Sequence, residues 1–204
     1  MNNNKQVYDL QKTRAYDGFL KMDVYNFAHE KFDGSQTETI TREVLERGQS
    51  VAVLLYDQKT DKVLVIRQFL IGAHIAGVDN CPIQVVAGMV DGNQTPEEAA
   101  VRECFEEAGV APDSLVKGPV FLPSPGGTSE LIHTYVGMVD LEGAGGRFGL
   151  ETEHEDIEAV LMNAGDVIKL LDDGFIQAGP AVVILSFFAR KHEEMKTMNI
   201  TKQN

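Results

Sequence analysis

Three carboxylates fall within five residues, at Glu103, Glu106 and Glu107. Positions three and four apart share a helix face, so a helix through this stretch would present all three together. Like charges at that spacing repel by roughly 0.3 kcal/mol per pair. A divalent cation would offset the repulsion, and carboxylate oxygens are the donors that Mg²⁺ prefers. Taken alone, such a run also suits a solvated helix face.

The flanking residues argue for the helix itself. Thr95 is a good N-cap, Pro96 suits the first helical position, and Glu98 stands three after the cap, which makes a capping box. Gly109 ends the helix as a C′ glycine. Around it, residues 1 to about 12 are expected to fray. Phe19 to Phe32 alternates like a strand, Asp33-Gly34 is a turn signal, and Thr37 to Leu45 is the return strand. Ser50–Tyr56, Lys62–Phe69, Ile83–Val86, Pro119–Leu122, Leu131–Val139 and Ile157–Met162 are predicted as further strands. The glycine-rich run 143–149 is expected to be mobile. Helices are predicted over Ala164–Leu171 and Ala181–His192, the latter with a basic last turn.

The 204 residues allow one domain with a sizeable core, or a core domain plus a small extra element. The net charge of −13 argues against a nucleic-acid binder, whose footprint would be basic. It also makes an anionic substrate hard to hold without local cations. Cys81 and Cys104 are too few for a disulfide framework, and no signal peptide or long apolar span is visible. The expected setting is a reducing cytoplasm, with no membrane partner.

Gly88, Gln94, Arg102, Glu103, Glu106, Glu107 and Gly109 stand at the spacing of the Nudix box, G-x5-E-x7-R-E-U-x-E-E-x-G-U, where U is apolar. Cys104 and Val110 fill the apolar positions. The stretch therefore resembles a Nudix hydrolase. One fixed position departs, because Gln94 stands where the family has its first glutamate. In the family that glutamate braces the loop and pairs with the box arginine. A glutamine can keep a hydrogen bond to Arg102 but loses the charge, so the resemblance implies a tuned site.

The likeness runs from about residue 16 to residue 190. Tyr16–Phe19, Phe32–Gly34, Arg42–Gly48, Ala87–Met89, Ser124–Glu130 and Glu153–Ile157 are similar to the bacterial ADP-ribose pyrophosphatases. That resemblance implies a Nudix α/β/α sandwich with a mixed sheet, of α+β type, over residues 49–195. It implies an N-terminal antiparallel β element over 1–48 used for dimerisation, and a loose tail over 196–204. Its activity would be hydrolysis of ADP-ribose to AMP and ribose 5-phosphate, with Mg²⁺ (Mn²⁺ as a substitute) and active sites shared in a homodimer.

The resemblance also assigns roles. Glu103, Glu107, Glu155 and the Ala87 carbonyl would hold the metals, with Glu106 in reach. Glu153 matches the catalytic base, and an acidic side chain near a metal suits that task. The glycine run upstream would let its loop close. Arg102 would brace the helix and the box loop. Phe19 and Leu20 match residues packed on adenine, although hairpin packing would also explain them. Arg42, Glu43 and Arg47 match polar nucleotide contacts, with a cross-strand ion pair as the plainer account. Met89 matches a substrate contact. Ser124, Pro125, Gly126 and Glu130 match a partner-subunit loop at the terminal ribose. Leu70 departs where relatives carry an arginine, and Arg67 is expected to point to the opposite face. His29, His74 and His154 are read as ordinary residues, with tuning of Glu153 and Glu155 as the alternative for His154. His133, on a strand, is read as a satisfied core residue rather than a metal ligand. Two rivals remain: a nucleotide-sugar pyrophosphatase, for example for GDP-mannose, and a non-catalytic ADP-ribose sensor.

Overall fold

The computed structural model describes residues 4–198, with the backbone alone for Glu153. Contacts divide the chain into two units, residues up to 48 with Leu122–Leu131, and Gln49–Phe121 with residues from Ile132 onward. The loop 122–131 thus groups with the N-terminal element rather than with residues 49–195.

The first unit is an antiparallel sheet of β1 (Val7–Asp17), β2 (Lys21–His29) and β3 (Ile40–Glu46) in that order. β1 corrects the expected fraying, since residues 7–12 are already strand paired to β2. Cross-strand pairing supplies an order that a lone polar segment lacks. Residues 18–20 form the bend between β1 and β2, so Phe19 and Leu20 lie outside the strand expected for them. Asp23 is fully buried between Lys12, at 2.7 Å, and Arg14. The loop 122–131 adds to this unit through Leu45, whose N–H donates to Gly127 O at 2.9 Å and whose carbonyl accepts from Ser129 N at 3.1 Å.

The second unit contains β4 (Gln49–Asp57), β5 (Lys62–Arg67), α1 (Ile71–Ala76), β6 (Ile83–Gln84), β7 (Val86–Met89), α2 (Pro96–Ala108) and β8 (Ser114–Phe121). It continues with β9 (Leu131–Met138), β10 (Gly146–Phe148), a 3-10 turn over Glu151–Glu153, β11 (Ile157–Asn163), α3 (Ala164–Asp172) and α4 (Gly179–Lys196). The sheet order is β10-β11-β5-β4-β9-β8, with β6 on β5 and β7 on β4. Both faces are covered, as the alternation along β4 requires. Val51, Val53 and Leu55 pack with Ala100 and Cys104 of α2. Ala52, Leu54 and Tyr56 pack with Val167 of α3 and Ile184 and Phe188 of α4. This is the expected sandwich of α+β type.

Several boundaries differ for identifiable reasons. β8 begins at Ser114 rather than near Pro119, because a register shift between Lys117 and Val120 accommodates the proline. α1 buries none of its residues, so it leaves no amphipathic pattern to read. The glycine run contains β10, which pairs with Ile157–Ala159. α4 runs through Lys196, and the rest of the expected tail lies from 199 onward outside the described residues. No helix among the described residues is long and apolar enough to cross a membrane.

Candidate active site

α2 is set at both ends by its own sequence. Glu98 N donates to Thr95 Oγ1 at 3.2 Å, and Thr95 N donates to Glu98 Oε2 at 2.7 Å, which closes the capping box. Gly109 takes a left-handed φ of 68° at the other end. The helix turns Glu103 and Glu107 inward, 8% and 4% exposed, toward β7.

There the backbone meets them. Ala87 N donates to Glu107 Oε2 at 2.9 Å. A Cβ on Gly88 would stand 1.8 Å from Glu103 Oε1, so only glycine lets the strand pass under that carboxylate. Burial pushes the Glu103 carboxyl up to about 7; Arg102 pulls it down and Glu106 and Glu155 add to the rise. Burial pushes Glu107 up to about 8, against the Ala87 hydrogen bond and with the charges of Glu103 and Glu155. Glu155 therefore lies within the electrostatic reach of both.

Arg102 ties the group together. Its guanidinium sits 2.9 Å from Glu103 Oε1 and 2.7 Å from Glu106 Oε2. It donates to the Met89 carbonyl at 2.9 Å, and its Nε donates to Gln94 Oε1 at 3.4 Å. The substituted Gln94 thus reaches the arginine by one long hydrogen bond. Among the described residues no three acidic, histidine or cysteine side chains form a ready-made metal cluster. Arg102 holds Glu103 and Glu106 to itself.

The acidic loop is folded on itself. Leu150 N donates to Glu155 Oε2 at 3.0 Å, and Glu155 N donates to Leu150 O at 3.3 Å. His154 adopts a left-handed φ of 56° where the 3-10 turn ends. Glu153 closes that turn. β10 anchors the loop's start: Gly149 N donates to Glu106 O at 3.4 Å, and the Phe148 ring lies over Gly109. Sequence reasoning missed Phe148, because a three-residue strand inside a glycine run carries no periodic signal.

Beside Glu155 opens a cavity of about 510 Å³, lined also by Arg67, Phe69, Cys81, Arg147 and Glu158 among others. Arg67 lines it, and Leu70 is not among the lining residues. β5 ends at Arg67 and Leu70 caps α1, so strand alternation does not carry from one to the other. Arg147 was missed altogether.

The remaining candidates lie in the first unit. Arg42 donates to the Thr41 carbonyl at 2.7 Å, and together with Tyr25, Pro125 and Gly126 it lines an apolar cavity of about 360 Å³. Arg47 faces Glu130 at 3.5 Å. Glu43 is exposed on β3. The Ser124 carbonyl accepts from Gly127 N and Thr128 N. Phe19 is 95% exposed, and Leu20 is exposed beside it, which removes hairpin packing as an account of Phe19.

Comparison with known proteins adds to this geometry. The NUDIX domain family model matches residues 46–182. The chain is 34% identical over 187 residues to the ADP-ribose pyrophosphatase of Escherichia coli K12, covering 92% of this chain and 90% of that protein. It is 31% identical over 183 residues to the GDP-mannose pyrophosphatase of Yersinia enterocolitica, covering 89% and 94%. A crystal structure of an ADP compounds hydrolase shares the fold with a TM-score of 0.68 at 18% identity, over 95% of this chain and 96% of that one.

Proposed function

The chain belongs to the Nudix family of phosphoric anhydride hydrolases, and from that we propose that it cleaves the diphosphate of ADP-ribose to AMP and ribose 5-phosphate. The observation that carries the reaction is the pair Glu103 and Glu107, two buried carboxylates drawn against Ala87 and Gly88 with Glu155 in reach. The substrate follows the ADP-ribose pyrophosphatases, which are 34% identical to the chain against 31% for the GDP-mannose pyrophosphatase over a similar span.

Nudix hydrolases generally depend on divalent metals, and we assign Mg²⁺ here. The donor set fits it, since Glu103, Glu106, Glu107, Glu155 and the Ala87 carbonyl offer only hard oxygens. The raised carboxyls of Glu103 and Glu107 are the mark of buried negative charge that a cation would relieve. Bound there, Mg²⁺ would neutralise phosphate charge and make water more acidic.

The protein's own groups do the rest. Arg102 fixes the carboxylates of α2 against the Met89 carbonyl. Glu153, on the turn two residues before Glu155, takes the proton of the attacking water. Arg42, Glu43, Arg47, Met89, Phe19 and Leu20, with Ser124, Pro125, Gly126 and Glu130, are assigned to hold the nucleotide and the terminal ribose. A homodimer with shared sites is part of this proposal. It is supported by the apolar side chains that the first unit leaves exposed, among them Val7, Leu10, Tyr16 and Phe19. Both cysteines are free, in keeping with a reducing cytoplasm.

The test is turnover of ADP-ribose, ADP-glucose and GDP-mannose side by side with Mg²⁺, with products identified by mass. ADP-ribose should lead in kcat/KM, and Glu153→Gln should lower kcat by about 100-fold. A lead for GDP-mannose would favour the second reading, which the relative from Yersinia supports. Binding of ADP-ribose without turnover would overturn the enzyme assignment in favour of a sensor.

A further inference from the structure

The cavity beside Glu155 has a charge pattern that the carboxylate group does not account for. Arg147 on β10 stands in register with Glu158 on β11, and Glu158 stands in register with Arg67 on β5. Directly opposed residues on neighbouring strands project to one face. Three adjacent strands therefore present a row of cation, anion and cation, and all three side chains line the same cavity.

The row is not balanced. Glu158 faces Arg67 at 3.9 Å, a loose and exposed pair. Arg67 spends its Nε on the Cys81 carbonyl at 3.1 Å. Arg147 has no ion pair or hydrogen bond among the described residues. Glu158 thus pairs loosely with Arg67 alone, and Arg147 stands opposite it in register with no ion pair among the described residues, in a chain of net charge −13. Unpaired arginine at the mouth of a cavity next to metal-ligating carboxylates is what an anionic ligand would complete. The planar fork of arginine matches phosphate oxygens by paired N–H donors. Phe69, 58% exposed, adds an apolar surface to the lining.

We propose that Arg147 and Arg67, set on either side of Glu158, form a clamp for the phosphate oxygens of the substrate's diphosphate in the cavity beside Glu155. The clamp rests on the pyrophosphatase reading for its substrate, and it assigns phosphate recognition to β10 and β5. It also gives β10 a task beyond edge pairing. Arg147 is the part of the clamp that carries no structural load, so it is the part to remove.

The test measures binding of imidodiphosphate, with excess Mg²⁺, by calorimetry, and KM and kcat for ADP-ribose. Arg147→Ala should weaken imidodiphosphate about tenfold and raise KM about as much, with kcat changed less than threefold. Arg147→Lys should recover part of the loss, since it restores the charge without the fork. Arg190→Ala on α4 removes the same charge elsewhere and should leave both constants within twofold. Equal binding by wild type and Arg147→Ala, or an equal loss in Arg190→Ala, would overturn the clamp. So would failure of the wild type to bind imidodiphosphate. If the wild type turns over none of the nucleotide diphosphates, the pyrophosphatase reading falls, while the imidodiphosphate comparison still decides the clamp.

Discussion

Gly88 passes so close beneath Glu103 that a Cβ there would stand 1.8 Å from Oε1 and 2.0 Å from Cδ. The glycine of β7 and the glutamate of α2 are thus one device, with the strand making room for the carboxylate. Gly88→Ala should push Glu103 out of place and lower kcat by about 100-fold, as a displacement of about 1 Å in a site does. Circular dichroism should still show the folded protein, because Gly88 φ is not left-handed. Saturation with Mg²⁺ should not restore the rate.

Phe148 and Gly109 form a second such contact. A Cβ on Gly109 would stand 2.3 Å from the Phe148 ring, so the ring lies directly on the C-terminal end of α2. Phe148 immediately precedes the loop that carries Glu153 and Glu155. Phe148→Ala should lower kcat about tenfold and destabilise the fold by about 2 kcal/mol, since the ring is only partly buried. Limited proteolysis should cut within 149–156 faster than in the wild type, while Phe148→Leu should recover most of the rate.

Gln94 tests how much charge Arg102 still lacks. The guanidinium already faces Glu103, Glu106 and Asp91 at 2.9, 2.7 and 3.5 Å. A further carboxylate at 94 therefore adds little. Gln94→Glu should change kcat less than threefold and raise stability by about 0.5 kcal/mol, as a partly exposed ion pair does. A gain in kcat of tenfold or more would show that the glutamine limits the enzyme.

The parts legible in the sequence were those with local rules. Thr95, Pro96, Glu98 and Gly109 delimit α2 by capping alone, and the spacing of Glu103 and Glu107 placed both on one face. β4 was legible from its unbroken apolar run. What escaped depends on partners distant in sequence. β1 is polar and gains its order from β2. β10 is three residues held by β11, and Arg147 joins Glu158 and Arg67 only through that pairing. The relation of Arg67 to Leu70 could not be read from strand alternation either, since β5 ends at Arg67.

Asp61 makes the last prediction, at the turn between β4 and β5. Its Oδ1 lies 2.6 Å from His192 Nε2 and accepts from Tyr56 OH at 3.1 Å, and its Oδ2 lies 3.1 Å from Lys196 Nζ. The turn therefore clips the last two turns of α4 to the sheet, helped by Gln58 Nε2, which donates to the Met195 carbonyl at 2.8 Å. Burial raises the Asp61 carboxyl, but hydrogen bonds from His192, Lys196 and Tyr56 outweigh it and hold the group below its ordinary value of 3.8. A depressed carboxyl stabilises the fold above the unfolded value, and that contribution is lost as pH falls below about 3.8. Because Asp61 is 40% exposed, solvent screening limits the effect to about 1 kcal/mol. Asp61→Asn keeps a residue that tolerates the left-handed φ of 53° found there. At pH 7 it should melt about 3 °C below the wild type, with faster hydrogen exchange confined to α4. As the pH falls below about 3.8 the gap should narrow, closing only below the depressed folded value. A gap that stays constant from pH 7 to pH 3 would show that the charge of Asp61 contributes nothing to the clip.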